Sequence, residues 1–211
     1  MNVYLVRHGE SEGNKKQIHQ GENIPLSEQG KKQAKLIAER LEETNIDIIY
    51  SSPYLRAKQT AEIIADRLDI PVEYWEELRE KKNPSELEGL NYSDPRALEI
   101  KRVIKENELK PDWKFSDEES FNELLARAKD VERRLLKQHW AQNILCVSHV
   151  KIIFMIVLSM LFQERLTPGI FWQFYYHSRL MNTGITHLKF EEKLGWSLVT
   201  WNDVTHFAMA K

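Results

Sequence analysis

Arg7 and His8 adjoin at the end of a short apolar run, Val3-Tyr4-Leu5-Val6, and a glycine follows them. An arginine beside a histidine sets a permanent cation, with a planar fork of donors, next to a nitrogen that can act as nucleophile or base. Phosphate chemistry is the natural use of that pair. Two solvated residues at an ordinary strand end would look the same, so the rest of the chain has to decide. Ile46-Asp47-Ile48-Ile49-Tyr50 ends in Ser51-Ser52-Pro53 and leads to Arg56, and Asn143-Ile144-Leu145-Cys146-Val147 ends in Ser148-His149. A parallel doubly wound sheet gathers such strand ends at one crevice. Two arginines and two histidines would then surround one point, without evident metal-ligand spacing. A phosphoryl group held by guanidinium forks is the small ligand that fits.

The elements that must position these residues can be read from periodicity. Strands are expected over Val3–Val6, Ile46–Tyr50, Val72–Tyr74 and Asn143–Ser148. Ser27, Gly30 and the apolar positions Ala34, Ile37, Ala38 and Leu41 predict an N-capped helix of about four turns. A helix begins near Tyr54 with Pro53 near its first turn, which puts Arg56 where backbone amides favour an anion. Phe121 to Trp140 is amphipathic, and Asp117, Glu118 and Glu119 precede it as the helix dipole favours. Val150 to Phe162 reads as a buried helix that carries one charge, Lys151. Ile185–Phe190 and Ser197–Trp201 alternate as an antiparallel edge hairpin should. The expected fold is a three-layer α/β sandwich around a mostly parallel sheet with an antiparallel edge. The whole chain, 1–211, would be one domain. Residues 81 to about 120, polar and weakly periodic with a charged helical piece at Arg96–Glu106, would be a cap insertion over the strand ends.

The 211 residues, 42% hydrophobic and 29% charged, describe an ordinary soluble protein with enough chain for a substantial core. A net charge of −2 gives no electrostatic case for nucleic acid or an anionic membrane. The most hydrophobic stretch is too short to span a bilayer. One cysteine, Cys146, suits a reducing compartment, and no secretory segment is evident at the N-terminus, so a cytoplasmic location is expected. Cys146 itself reads as an inert small hydrophobe.

Leu5-Val6-Arg7-His8-Gly9-Glu10-Ser11-Glu12-Gly13-Asn14 resembles the signature of the histidine phosphatase superfamily, the phosphoglycerate-mutase-like proteins. Pro25-Leu26-Ser27-Glu28-Gln29-Gly30, Ser51-Ser52-Pro53-Tyr54-Leu55-Arg56-Ala57, Leu78-Arg79-Glu80 with Glu88-Gly89, Val147-Ser148-His149 and Asn182-Thr183-Gly184 resemble its other motifs, in the family's order and over nearly the whole chain. The resemblance implies that His8 is the nucleophile that becomes phosphohistidine. It implies that Arg7, Arg56 and His149 form the phosphate pocket, that Asn14 adds a donor and that Glu80 is the proton donor, with no metal and no cofactor. Gln20 is a further substrate-binding candidate, and Ser11 a weaker one. The chain departs from the family in two places. Val150 follows His149 where glycine is frequent, and the stretch after Glu80 carries Pro84-Ser85 in place of the usual Gly-Trp. Glu77, and more weakly Glu88, are alternatives for the acid.

The expected function is a metal-independent phosphatase acting on phosphomonoesters of small molecules. The alternatives are a phosphoglycerate-mutase-type phosphotransferase and a catalytically weak phospho-ligand binding protein. His19, His139, His177, His187 and His206 read as structural or surface groups. The aromatic run Phe171, Trp172, Phe174, Tyr175 and Tyr176 reads as core or as a patch that could support a homodimer. Lys81, Lys82, Lys101, Arg102 and Lys105 would suit an acidic ligand, though a solvated helix face explains them more simply.

Overall fold

The apolar runs form one six-stranded sheet in a computed structural model that describes residues 1–139 and 141–208. Its strands are β1 (Asn2–Arg7), β2 (Ile48–Ser51), β3 (Val72–Tyr74), β4 (Asn143–Ser148), β5 (Ile185–Glu191) and β6 (Gly195–Asp203), in the spatial order β3-β2-β4-β1-β5-β6. β1 pairs with β4 in parallel, Leu5 opposite Cys146 and Arg7 opposite Ser148, and β4 and β3 flank β2 in parallel. β5 runs antiparallel to β1, and β6 closes the edge as the expected hairpin partner of β5.

The helices are α1 (Glu12–Lys16), α2 (Glu28–Leu41), α3 (Leu55–Leu68), α4 (Pro95–Asn107), α5 (Phe121–Gln138), α6 (Val150–Phe162) and α7 (Pro168–His177). Alternation along β1 and β4 sends side chains to opposite faces. Val3, Leu5, Ile144 and Cys146 pack with Leu124, Val131 and Leu135 of α5 and Ile152, Ile153 and Ile156 of α6. Val6, Leu145 and Val147 pack with Ile37 and Leu41 of α2 and Ala57, Ala61 and Ile64 of α3. The result is the expected three-layer sandwich. Among the described residues no helix is long and apolar enough to cross a membrane.

Pro53 directly precedes the cap of α3, Tyr54, and Arg56 is the helix's second residue. Several other local expectations need correction. The end expected for α5 at Trp140 lies outside the described residues, and the helix ends at Gln138. Its start is secured by a capping box between Ser120 and Glu123, while the acids before it are used elsewhere. Glu118 pairs with Lys81 at 2.7 Å and Glu119 with Arg127 at 2.6 Å, all four side chains being largely buried. The charged run around Glu80 is thus partly interior. α1 and α7 were not anticipated as helices. In the segment 81–120, α4 is its one α-helix, and residues 89–92 run along 17–19 through backbone bonds from Gly89 to His19 and from Tyr92 to Gln17.

Candidate active site

β1, β4 and β2 lie side by side and end at one edge, so Arg7-His8, Ser148-His149 and Ser51-Ser52 arrive together. The turn after β1 passes tightly under α2. A Cβ on Gly9 would come within 2.6 Å of the Gly30 carbonyl, so only glycine fits there. Gly9 N donates to Thr60 Oγ1 (3.0 Å), which in turn donates to the Arg56 carbonyl (2.7 Å). α3 and the His8 turn are thereby fixed to each other.

His8 is 3% exposed. Its Nδ1 lies 2.7 Å from the Gly9 carbonyl, which can only accept, so Nδ1 carries the proton and donates. Nε2 is left with its lone pair and accepts from Arg56 Nε at 3.3 Å. Burial first, then the guanidiniums of Arg56 and Arg7, hold the imidazole well below the ordinary histidine pKa, with the Gly9 carbonyl opposing. His8 is therefore a neutral imidazole with a defined tautomer.

Arg56 Nη1 donates to the Gly21 carbonyl (2.8 Å) and Arg7 Nη1 to the Leu180 carbonyl (2.7 Å). His149 is completely buried, its ring centroid 5.1 Å from that of His8. Ser52 Oγ accepts from Tyr54 N (3.2 Å) and shares a 2.8 Å bond with His149 Nε2. If Ser52 gives its proton to Nε2, His149 Nδ1 is a donor. Arg7 Nε and His149 Nδ1 are both buried with no hydrogen-bond partner among the described residues. Burial, with Arg56 and His8 adding, also lowers the His149 pKa well below normal.

A cavity of about 450 Å³ opens over these groups, lined by Arg7, His8, Asn14, Gln20, Arg56 and Glu80. His149 is adjacent to this lining rather than part of it, and Val150 takes a place in the wall. Asn14 Oδ1 accepts from Ser11 N (3.2 Å) and Asn182 Nδ2 (3.4 Å), and Asn182 Nδ2 also donates to the His8 carbonyl (2.9 Å). Gln20 Oε1 accepts from Ser11 Oγ at 2.5 Å. Ser11, the weaker candidate, lies beneath the site and braces both.

Glu80 joins the cavity by capping a helix. Its Oε1 accepts from Lys81 N (2.9 Å) beside it in the chain, and from Lys151 N (3.1 Å) and Ile152 N (3.3 Å) at the start of α6. Oε2 has one longer contact, 3.4 Å from Lys151 N. Glu77, the first alternative for the acid, is tied to Arg134 at 3.0 Å and does not line this cavity. Glu88 lines a neighbouring depression instead.

Sequence reasoning missed part of the wall. His19, Asn83, Tyr92, Lys151 and Tyr175 also line the cavity, together with Lys101, which the sequence allows for an acidic ligand but explains more simply as a solvated charge. For Lys151 the signal was available, a lone charge at the head of an apolar helix. For Tyr175 it was the helical spacing of the aromatic run, now α7. His19 had been assigned to structure or surface. In place it feels burial, Lys101 and Lys151, which bring its pKa down to about 4. The other four histidines behave as expected: His139 bonds Tyr50, His206 bonds Thr183, His187 stacks on Tyr4 and His177 is exposed.

The profile of the histidine phosphatase superfamily (branch 1) matches residues 3–204. The chain belongs to that superfamily. Its relatives include phosphoserine phosphatase 1 of Hydrogenobacter thermophilus, 34% identical over 153 residues that make up 70% of each chain. The protein of Bacillus subtilis named uncharacterized phosphatase PhoE is 27% identical over 98% of this chain and 96% of its own. Among solved structures, the phosphoserine phosphatase of Entamoeba histolytica in complex with 3-phosphoglyceric acid superposes with a TM-score of 0.79. It is 29% identical and covered over 97% of this chain and 98% of its own. The superfamily match and these relatives support a phosphoric monoester hydrolase of the histidine phosphatase family.

Proposed function

We propose that this histidine phosphatase hydrolyses small-molecule phosphomonoesters without a metal, through a phosphohistidine on His8 Nε2. One observation carries the reading: a buried neutral His8, its Nδ1 committed to Gly9, keeps its lone pair on Nε2, met by Arg56 Nε at 3.3 Å, in a site where Arg7 Nε and His149 Nδ1 have no partner among the described residues. A neutral imidazole is what an attack on phosphorus requires. The Nε2 lone pair forms the N–P bond as the ester P–O bond breaks, and the departing oxygen takes a proton from Glu80. Water then attacks the phosphohistidine and gives its proton to Glu80 as the N–P bond breaks, releasing inorganic phosphate and restoring His8. Arg7, Arg56 and His149 meet the charge on the transferring oxygens, the task divalent cations perform in other phosphoryl transfers.

Asn14 and Gln20, lining the cavity, are the added substrate donors in this scheme, and Glu80 acts through Oε2, its less committed oxygen. The segment 81–120 serves as a cap on a single domain. A free and completely buried Cys146, its thiol pushed up to about 12 by burial, suits work in the cytoplasm.

The test is rapid-quench mass spectrometry of the protein mixed with an aryl phosphate in EDTA, beside His8→Ala. An acid-labile gain of one phosphoryl group, absent from the variant, is the expected result. Turnover that persists in His8→Ala would overturn the proposal.

A further inference from the structure

The crevice adjoins a second chamber of about 210 Å³, and the two share His19, Asn83, Lys101, Lys151 and Tyr175 as lining. The chamber's far side is made by Trp172 and Tyr176 of α7. Most of its charges are already matched. Lys81 lies 2.7 Å from Glu118 and Lys105 2.6 Å from Glu108. The two lysines of the shared wall are different: among the described residues neither has a carboxylate within 4 Å. Lys151 Nζ donates to Asn83 Oδ1 at 3.1 Å, and the exposed Lys101 has its Nζ 5.7 Å from the centre of the Tyr92 ring.

The charge of the cavity is correspondingly one-sided. Four basic side chains, Arg7, Arg56, Lys101 and Lys151, face it, and among the described residues Glu80 is the one carboxylate in its lining. A phosphomonoester dianion at the His8 end leaves positive charge over at the Lys151 end. Glu80 and Glu118 act on the half-buried Lys151 from beyond ion-pair distance, so its ammonium is left without a direct anion, and structures normally supply one. Lys151 stands at the second position of α6, where every following residue from Ile152 to Met160 is buried. Its backbone N–H is held by Glu80 and its side chain by Asn83, so the ammonium is fixed in the wall.

We propose that Lys151, with Lys101 at the mouth, selects the organic half of the substrate: a phosphomonoester whose alcohol part carries a second anionic group. This rests on the phosphatase reading of the same site. The phosphoryl group sits at His8, and the second anion sits in the wall between the two chambers, against Asn83 and Tyr175.

The test compares 2-hydroxyethyl phosphate, phosphoglycolate and ethane-1,2-diol bisphosphate, together with the corresponding four-carbon set. The wild type is expected to favour the carboxylate and bisphosphate members over the neutral one by tenfold or more in kcat/KM, chiefly through KM. Lys151→Met should lower that ratio at least tenfold, Lys101→Met less, and Lys151→Arg should keep it. A ratio near one in the wild type, or one that Lys151→Met leaves unchanged, overturns the selection while the phosphatase reading stands. No His8-dependent turnover of any member overturns both. The carboxylate and bisphosphate arms separately report which anion the wall prefers.

Discussion

The two ends of the crevice are built by different means. At the phosphate end, His8, Arg7 and His149 come from neighbouring strand ends of a buried parallel sheet, and Arg56 stands in the first turn of a helix. Their positions are set by main-chain pairing, and each is fixed again by a short bond to a carbonyl or hydroxyl. At the opposite end the wall is assembled from α4, α6, α7 and the turns after Glu80. It is held by side-chain pairs such as Lys81–Glu118 and Lys151–Asn83. One end is suited to a chemistry that any phosphomonoester presents, and the other to whatever distinguishes one ester from the next.

The largest effect should come from the phosphate end. His8→Ala is expected to lower kcat/KM on an aryl phosphate by roughly 10⁴-fold or more, as loss of a covalent nucleophile does. A modest loss would break the comparison, because chemistry would then reside elsewhere. Glu80 straddles the two ends. Glu80→Gln keeps an oxygen to accept from the start of α6 but has no proton to exchange, so kcat should fall by about 10²–10⁴-fold. The loss should be greater for alkyl esters, whose leaving alkoxide needs the proton, than for aryl esters. Steady-state kinetics on the two ester types read this directly, and equal losses would remove Glu80 from proton transfer.

The same division explains what could be read from the sequence. β1, β4 and the start of α3 were legible because each site residue sits beside the apolar run that positions it. The edge hairpin followed from alternation alone. The opposite wall was not legible, since whether a lysine is solvated depends on what tertiary packing brings to it. Lys81 belongs to a charged stretch that reads as surface, yet it is 6% exposed and paired with Glu118, 37 residues away. Lys101 reads as one more charge on an exposed helix, and only the placement of α4 turns it to the cavity. Tyr175 was seen as an aromatic that packs, which it does, but its ring also borders the site.

That buried pairing gives a prediction about stability. Glu118→Gln leaves the Lys81 ammonium inside without its counter-charge, and the loss should be about 3 kcal/mol, as for removing one partner of a buried pair. A lowered denaturant midpoint at constant slope would register it. An unchanged midpoint would mean that water reaches Lys81 and that this end is looser than the packing indicates.

The smallest effect is a displacement in pH and returns to His8. Its pKa is held below the ordinary 6.5 by burial first and by Arg56 and Arg7 next. The attacking form is neutral, so the acid limb of kcat/KM should lie below 6.5 rather than at it. Arg56→Gln removes one cation and should move that limb upward, against the larger loss in rate that removing a phosphate donor brings. Stability has the same sign. Unfolded histidine binds a proton near 6.5 and the buried ring does not, so stability is full above that pH and declines as pH falls toward the folded-state pKa. His149, depressed by burial, Arg56 and His8, contributes in the same direction. In Arg56→Gln the decline from these two rings should end at a higher pH and total less, since each then accepts a proton more readily while folded. Wild-type and variant denaturation curves followed from pH 7 down to where the decline levels off test this. A decline that levels off at the same pH in both would assign the depression to burial and Arg7 and leave Arg56 with the phosphoryl oxygens as its task.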